Sequence, residues 1–341
     1  MNPGYFALVM ATGIVSVGMD NHGRTVLSLV LLWIAIVSYA ILVGIHVWRA
    51  IAFTSQLAAD FTDPRRAFGF FTFVAGTDVL GTRLAIAGWR DAALALLVVG
   101  AVSWLVLGYV VPWTAVLGRS ARPVVAAANG TWFIWVVASQ SIAVLAGALE
   151  PQTHGGRREL DLLAVFSWSV GVFLYAAAGV FVAARLLLYP LDAADLTPPY
   201  WVAMGATAIT VLAGARIVQM ADAPMVAATR GLIAGASVVF WAFGSWLIPA
   251  LVAAGWWRHV AHRIPLRYEA AWWSIVFPLG MYGVAGHYIG RADNLPIVQA
   301  IGENETWLAL AVWAAVFAVM LARLAHTLLP ATRKRHAHRV G

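Results

Sequence analysis

A carboxylate in the middle of an apolar run is costly in hydrocarbon, and Asp78 stands in such a run, FFTFVAGTDVLG from Phe70. If that run crosses a membrane, Asp78 is either half of an ion pair with Arg83 or Arg216, or a group that takes up a proton. The first role is structural; the second would couple transport to protons. Arg83, Arg216 and His287 each stand toward the far end of an apolar segment. There a basic side chain either concentrates anions at a mouth or snorkels to the interface. Phe277 is followed by Pro278, which cannot donate to the carbonyl of Ser274 and so kinks the helix or leaves that carbonyl to a local partner. Phe277 itself reads either as a packing residue or as a bulky ring able to close a narrow tube by excluding water.

Other chemistry is thinly represented. His259 and His262 lie three apart in a basic loop without an evident third ligand, and His336 and His338 read the same way, so no metal site is expected. There is no cysteine, hence no thiolate chemistry and no disulfide. The sequons at Asn129 and Asn304 carry no weight without a secretory context. No nucleotide-binding loop or zinc-hydrolase motif appears, so neither an enzyme nor a cofactor is expected. The net charge of +7 comes from 21 Arg and the single Lys334. The arginines flank apolar runs and form no basic-aromatic patch, which points to a lipid bilayer and away from nucleic acid.

The elements that must position these residues follow from composition. Hydrophobic residues make up 62% of the chain and charged ones 11%, with a mean hydropathy of +0.81. A soluble domain cannot draw a polar coat from that composition. An all-α integral membrane protein is expected, with ten transmembrane segments near 3–20, 25–48, 68–89, 92–118, 124–149, 160–189, 199–220, 226–254, 270–290 and 306–329. They form a single transmembrane domain over 1–330, followed by a basic tail at 331–341. The first run follows Met1 with no basic residue before it and contains Gly13 and Ser16, so it is taken as a helix and not as a cleaved leader. Counting Lys and Arg puts 14 on the side of the termini and 8 on the other, which predicts cytoplasmic termini. Five of the 14 lie between Arg323 and Arg339.

The odd-numbered segments repeat. Each opens on an aromatic pair whose second members are Phe6, Phe71, Phe133, Trp201 and Trp273, spaced by 65, 62, 68 and 72 residues. Five positions on stand Ala11, Gly76, Ala138, Ala206 and Pro278; one further stand Thr12, Thr77, Ser139 and Thr207, with Leu279 breaking the pattern. A two-helix period near 70 residues reads as five parallel hairpins, at about 1–50, 66–118, 124–189, 198–257 and 268–330. Parallel hairpins are most simply set around an axis along the membrane normal, with odd helices lining a central pore and even helices outside.

NPGYFALVMATGIVS at the start and WWSIVFPLGMYGVAG in the ninth segment resemble the tellurite-resistance/dicarboxylate transporter family, which includes TehA, the malic acid permease and the slow-type anion channels. The resemblance implies a ten-helix bundle of five hairpins around a pore, a homotrimer with one pore per subunit, and a Phe gate on the ninth helix. The matching residue is Phe277, beside Pro278. It is also the only aromatic four positions into a repeat; its equivalents are Met10, Ala75, Val137 and Gly205. If Phe277 faces the axis, rotation of ~100° per residue puts Gly13, Asp78, Gln140, Ser141, Gly280 and Met281 on the lining as well. Arg216 and His287 then stand near the same face as an anion-attracting mouth, with Arg83 about a quarter turn away. The position-six hydroxyls point the opposite way and suit helix packing. The expected function is a multi-pass anion channel or transporter of the cell membrane, passing small inorganic or organic anions. The alternative is a proton-coupled carrier of four-carbon dicarboxylates such as malate, or an exporter of tellurite-like oxyanions.

Overall fold

The computed structural model describes residues 3–118, 123–153, 155–221 and 223–337, with side chains as far as residue 327. Its long elements are α1 (Ala7–Asn21), α2 (Thr25–Ala52), α4 (Phe71–Ile86), α5 (Arg90–Val111), α6 (Phe133–Leu149), α7 (Arg157–Leu188), α8 (Val202–Val218), α9 (Pro224–Trp256), α10 (Trp273–Ala292) and α11 (Pro296–Ala337); a short α3 (Thr54–Thr62) follows α2. There is no strand among the described residues. Among the described residues, eight helical stretches are long and apolar enough to cross a membrane. α4 and α10 are not among them. α4 has 16 residues and carries Asp78 and Arg83, while α10 is broken up by Pro278, four glycines, His287 and Arg291.

Burial sorts the helices into two layers. The most apolar stretches of α1, α6 and α8 are 83%, 94% and 78% buried, whereas those of α2, α5, α7, α9 and α11 are 28%, 22%, 17%, 6% and 17% buried. α1 packs on α4, α4 on α6, α6 on α8, α8 on α10, and α10 back on α1. Each of the other long helices lies against the ring helix it follows: α2 on α1, α5 on α4, α7 on α6, α9 on α8 and α11 on α10. The reversals after α1 and α4 are short because Gly23 and Gly88 take φ of +67° and +83°, which other residues adopt only with strain.

Each ring helix is preceded by a 3-10 turn: Pro3–Phe6, Ala67–Phe70, Gly130–Trp132, Pro198–Trp201 and Ala270–Trp272. Three of the aromatic pairs of the sequence straddle this boundary between 3-10 turn and α-helix, and the pairs Tyr5–Phe6 and Tyr200–Trp201 end the turn just before it. Farther along, polar contacts tie ring to outer layer, since a side chain with hydrogen-bonding groups must be satisfied inside a bilayer. Trp313 of α11 donates its indole N–H to Thr12 of α1 at 3.0 Å, and Trp104 of α5 donates to Ser139 of α6 at 2.8 Å. Tyr39 of α2 and Thr77 of α4 share a hydroxyl hydrogen bond of 2.9 Å, as do Ser245 of α9 and Tyr282 of α10 at 2.7 Å. Trp168 of α7 donates to the Thr210 carbonyl of α8 at 3.1 Å. In four of the five the outer helix precedes its ring helix in the chain, and in the fifth the last helix, α11, serves the first, α1.

Three boundaries differ from the sequence-based expectation, and one of them is the segment expected from 124, which becomes a continuous helix only from Gly130. α11 begins at Pro296, ten residues before the expected start at 306, because Glu303 and Glu305 do not interrupt a helix whose first turns lie over α10. The basic tail expected at 331–341 continues the same helix to Ala337, and residues 338–341 lie outside the described residues.

Candidate functional site

The contacts of α10 determine which of its sides faces the ring interior. Gly283, Gly286 and Gly290 lie against α11, so closely that a Cβ on Gly302 of α11 would come within 2.6 Å of the Gly283 carbonyl. Pro278 packs on Gly205 of α8, and Gly280 packs on Ile14 and Val15 of α1. At ~100° per residue, the side left over carries Phe277, Met281 and Tyr288, directed between α8 and α1 into the ring. Tyr282, on another side, reaches Ser245 and stacks on Trp241.

Similar bookkeeping applies to the ring partners. On α1, Thr12 turns to α11, Gly13 to Val79 of α4, and Ser16 to Ser28 of α2. On α6, Ser139 turns to α5 and Ser141 to α4. The sides left toward the interior carry Met10 on α1, Ala75 on α4 and Val137 on α6. Met10, Ala75, Val137, Phe277 and Met281 are 2%, 0%, 0%, 1% and 0% exposed, so the ring is closed to water at this level. Gly13, Gly205 and Gly280, expected on the lining, instead let neighbouring ring helices touch.

Asp78 and Gln140 turn toward the outer layer. The Asp78 carboxylate lies against Gly100 of α5, where a Cβ would fall 2.0 Å from Oδ1, and accepts a 2.8 Å hydrogen bond from Ser141 of α6. Its Oδ1 has no partner, and neither Arg83 nor Arg216 pairs with it. Gln140 donates to the Trp168 carbonyl at 3.1 Å and lies against Gly171 of α7. A phase error of a fraction of a turn separates these side chains from the lining on which they were expected.

Arg83 pairs with Asp20 at 3.1 Å. It also donates through Nε to Ser16 and Ser28 at 3.0 and 3.1 Å, and through Nη2 to Ser28 at 2.9 Å. At 2% exposure it joins α4 to α1 and α2 and presents little charge to a mouth. His287 turns from the axis toward Glu303 of α11, its Nδ1 3.4 Å from the carboxylate. Arg216 alone of the three meets the axial side of α10. Its Nη2 donates to the Tyr288 hydroxyl at 2.8 Å, its guanidinium lies 4.2 Å from the centre of that ring, and its Nε has no acceptor. Tyr288 was missed in the sequence, although it stands eleven positions after Phe277 and therefore on the same face. Of the loop histidines, His259 bonds the Ile264 carbonyl at 2.8 Å and His262 the Trp257 carbonyl at 3.1 Å. Asn129 caps a turn by accepting from the Thr131 N–H, and Asn304 donates to the Ala300 carbonyl.

Comparison with known proteins places the chain among membrane proteins. A family model described as voltage-dependent anion channel matches residues 1–321. An uncharacterized membrane protein of Mycobacterium tuberculosis is 68% identical over 166 residues, 49% of this chain and 84% of that protein. Two uncharacterized transporters of Methanocaldococcus jannaschii are 26% and 25% identical, over 92% and 91% of this chain and 90% of each of theirs.

Proposed function

This chain belongs to the voltage-dependent anion channel family, and from that premise we propose that it conducts small anions through the interior of its helical ring, with Phe277 as the gate. In this reading ten helices cross the bilayer as five parallel hairpins, and the subunits assemble as a homotrimer with one pathway each. The observation that carries it is the axial side of α10. It brings an aromatic ring to a level where the neighbouring helices bring only Met10, Ala75 and Val137. A single ring among small apolar side chains closes a tube by dewetting, and its weakly positive edge does not repel an anion moving past it. Pro278, seated on Gly205, breaks the backbone hydrogen-bond ladder beside the gate and gives α10 a place to flex.

At the C-terminal end of the ring, Arg216 supplies the cation. Its guanidinium is held by one hydrogen bond and the Tyr288 ring, with no carboxylate among the described residues paired with it. That leaves charge available to draw anions toward the passage. An apolar interior with one cation at its end suits weak, fast passage of inorganic or small organic anions.

A second reading is favoured by Asp78, which has no basic partner and is completely buried. A carboxylate in that position is a proton site, and a proton-coupled carrier of malate-like dicarboxylates or of tellurite-like oxyanions would use one. Anion flux into liposomes separates the two, with wild type measured beside Phe277→Ala, with and without a pH gradient. The channel reading expects chloride and nitrate flux to rise about tenfold, equivalent to removing ~1.4 kcal/mol of barrier, and to ignore the gradient. Unchanged flux in Phe277→Ala would reject the gate. Malate uptake that follows the gradient in both proteins would favour the carrier.

A further inference from the structure

The end of α2 and the short α3 enclose a second cationic feature, remote from the ring interior. Arg49, in the last turn of α2, is 7% exposed and ion-paired through Nη2 with Asp60 of α3, which is 2% exposed. The second Asp60 oxygen is held by Arg66 at 2.9 Å. Two guanidinium groups thus meet at one carboxylate. The Nη1 group of Arg49 is buried without an acceptor. Beside it lies a cavity of about 440 Å³, lined by Trp48, Arg49, Phe53, Gln56, Asp60 and Arg66 among others. Gln56 accepts from Ser55 through its carboxamide oxygen, which leaves its NH2 group as a donor at the rim. Trp48 and Phe53, in edge contact at 5.1 Å, are 59% and 40% exposed on the same rim, as befits side chains at a membrane interface.

A buried cation with a spare N–H, a second guanidinium beside it and an amphipathic aromatic rim together suit a tetrahedral oxyanion carried at the membrane surface. Guanidinium groups bind phosphate oxygens through several N–H groups at once, and an anionic leaflet brings such groups to the surface. We propose that this cavity binds the phosphodiester headgroup of an anionic phospholipid, with Arg49 and Arg66 as its cationic partners and Gln56 as a rim donor. The bound lipid would tie α3 to the end of α2.

The test is thermal unfolding of the purified full-length protein in neutral detergent, titrated with dihexanoyl phosphatidylglycerol, dihexanoyl phosphatidylcholine or inorganic phosphate. The expected result is a saturable rise in Tm with phosphatidylglycerol alone. Gln56→Glu adds a carboxylate to an exposed rim position without touching the three-membered ion cluster. It should leave the lipid-free Tm unchanged and weaken the phosphatidylglycerol response about tenfold or more. Arg66→Gln should weaken it as well and Arg49→Gln should abolish it; if Arg49→Gln does not fold, the other two variants decide. An equal response to inorganic phosphate would overturn the lipid assignment in favour of a free-phosphate site. Equal responses to both lipids, or a full response in Gln56→Glu, would overturn the site altogether.

Discussion

Arg83 and Asp78 lie on the same helix five residues apart, and their surroundings assign them opposite consequences on mutation. Arg83 makes an ion pair and hydrogen bonds to two serines, all of which lose their donor together if it is replaced. Arg83→Gln should therefore cost about 2–3 kcal/mol, visible as a lower Tm in detergent. Asp78 has no cation to lose, and an Asn there still accepts from Ser141. Asp78→Asn should change stability by less than ~1 kcal/mol. A large loss in Asp78→Asn would mean that a charged Asp78 has a partner. The sequence marked both residues as worth attention, because an ionisable group in an apolar run is conspicuous. What it left hidden was the pairing: Asp20, Ser16 and Ser28 come from two other helices, and a helical wheel of one segment contains no information about them.

The pattern of tryptophans makes sense only between helices. Tyr39, Trp104, Trp168, Trp241 and Trp313 stand at intervals of 65, 64, 73 and 72 residues on the outer helices, in step with the ring. Thr77 follows Tyr39 by 38 residues, and Leu279 follows Trp241 by the same 38. Where the hydroxyl is replaced by Leu279, the indole N–H of Trp241 is left buried without an acceptor. Trp313→Phe and Trp104→Phe should each lower stability by about 1–2 kcal/mol more than Trp241→Phe. All three make the same change in volume, but Trp241 has no hydrogen bond to give up. Thermal unfolding of the three variants side by side measures the difference; equal losses would show that the hydrogen bonds contribute nothing. The position-six hydroxyls were readable as packing residues because they fall opposite Phe277. Their aromatic partners were not, since those lie on helices whose rotation no single-segment pattern fixes. α3 was missed for a simpler reason: nine residues of mixed polarity carry no membrane-length signal.

Across the whole molecule, the absence of cysteine turns a compositional fact into an experimental handle, because any introduced thiol is unique. Ser55, on α3, and Asp91, at the start of α5, are both exposed and lie at opposite ends of the bundle. If both termini are cytoplasmic, as the Lys and Arg count predicts, Asp91→Cys should react with a membrane-impermeant maleimide on intact cells, and Ser55→Cys only after permeabilisation. The reverse labelling would invert the orientation, which rests on a Lys and Arg count weighted by the last helix. The membrane class was legible from composition alone, and the period of the aromatic pairs foreshadowed a closed ring. The eight-helix hydropathy signal understates that ring, since α4 and α10 spend their apolar character on glycine, proline and polar side chains that pack against neighbouring helices.

The hydrogen bond from Trp313 to Thr12 spans 301 positions of the chain. At about 5–20 residues per second, a ribosome delivers the tryptophan some 15–60 s after the threonine. Through that interval α1 sits in the bilayer beside α2 and α4 with one flank still bare. The newborn protein is an open arc until α10 packs back on α1, and only the arrival of α11 covers the last flank of α1. Biogenesis therefore contains a slow, obligatory final step, during which the bare flank of α1 must be shielded by lipid or by the insertion machinery.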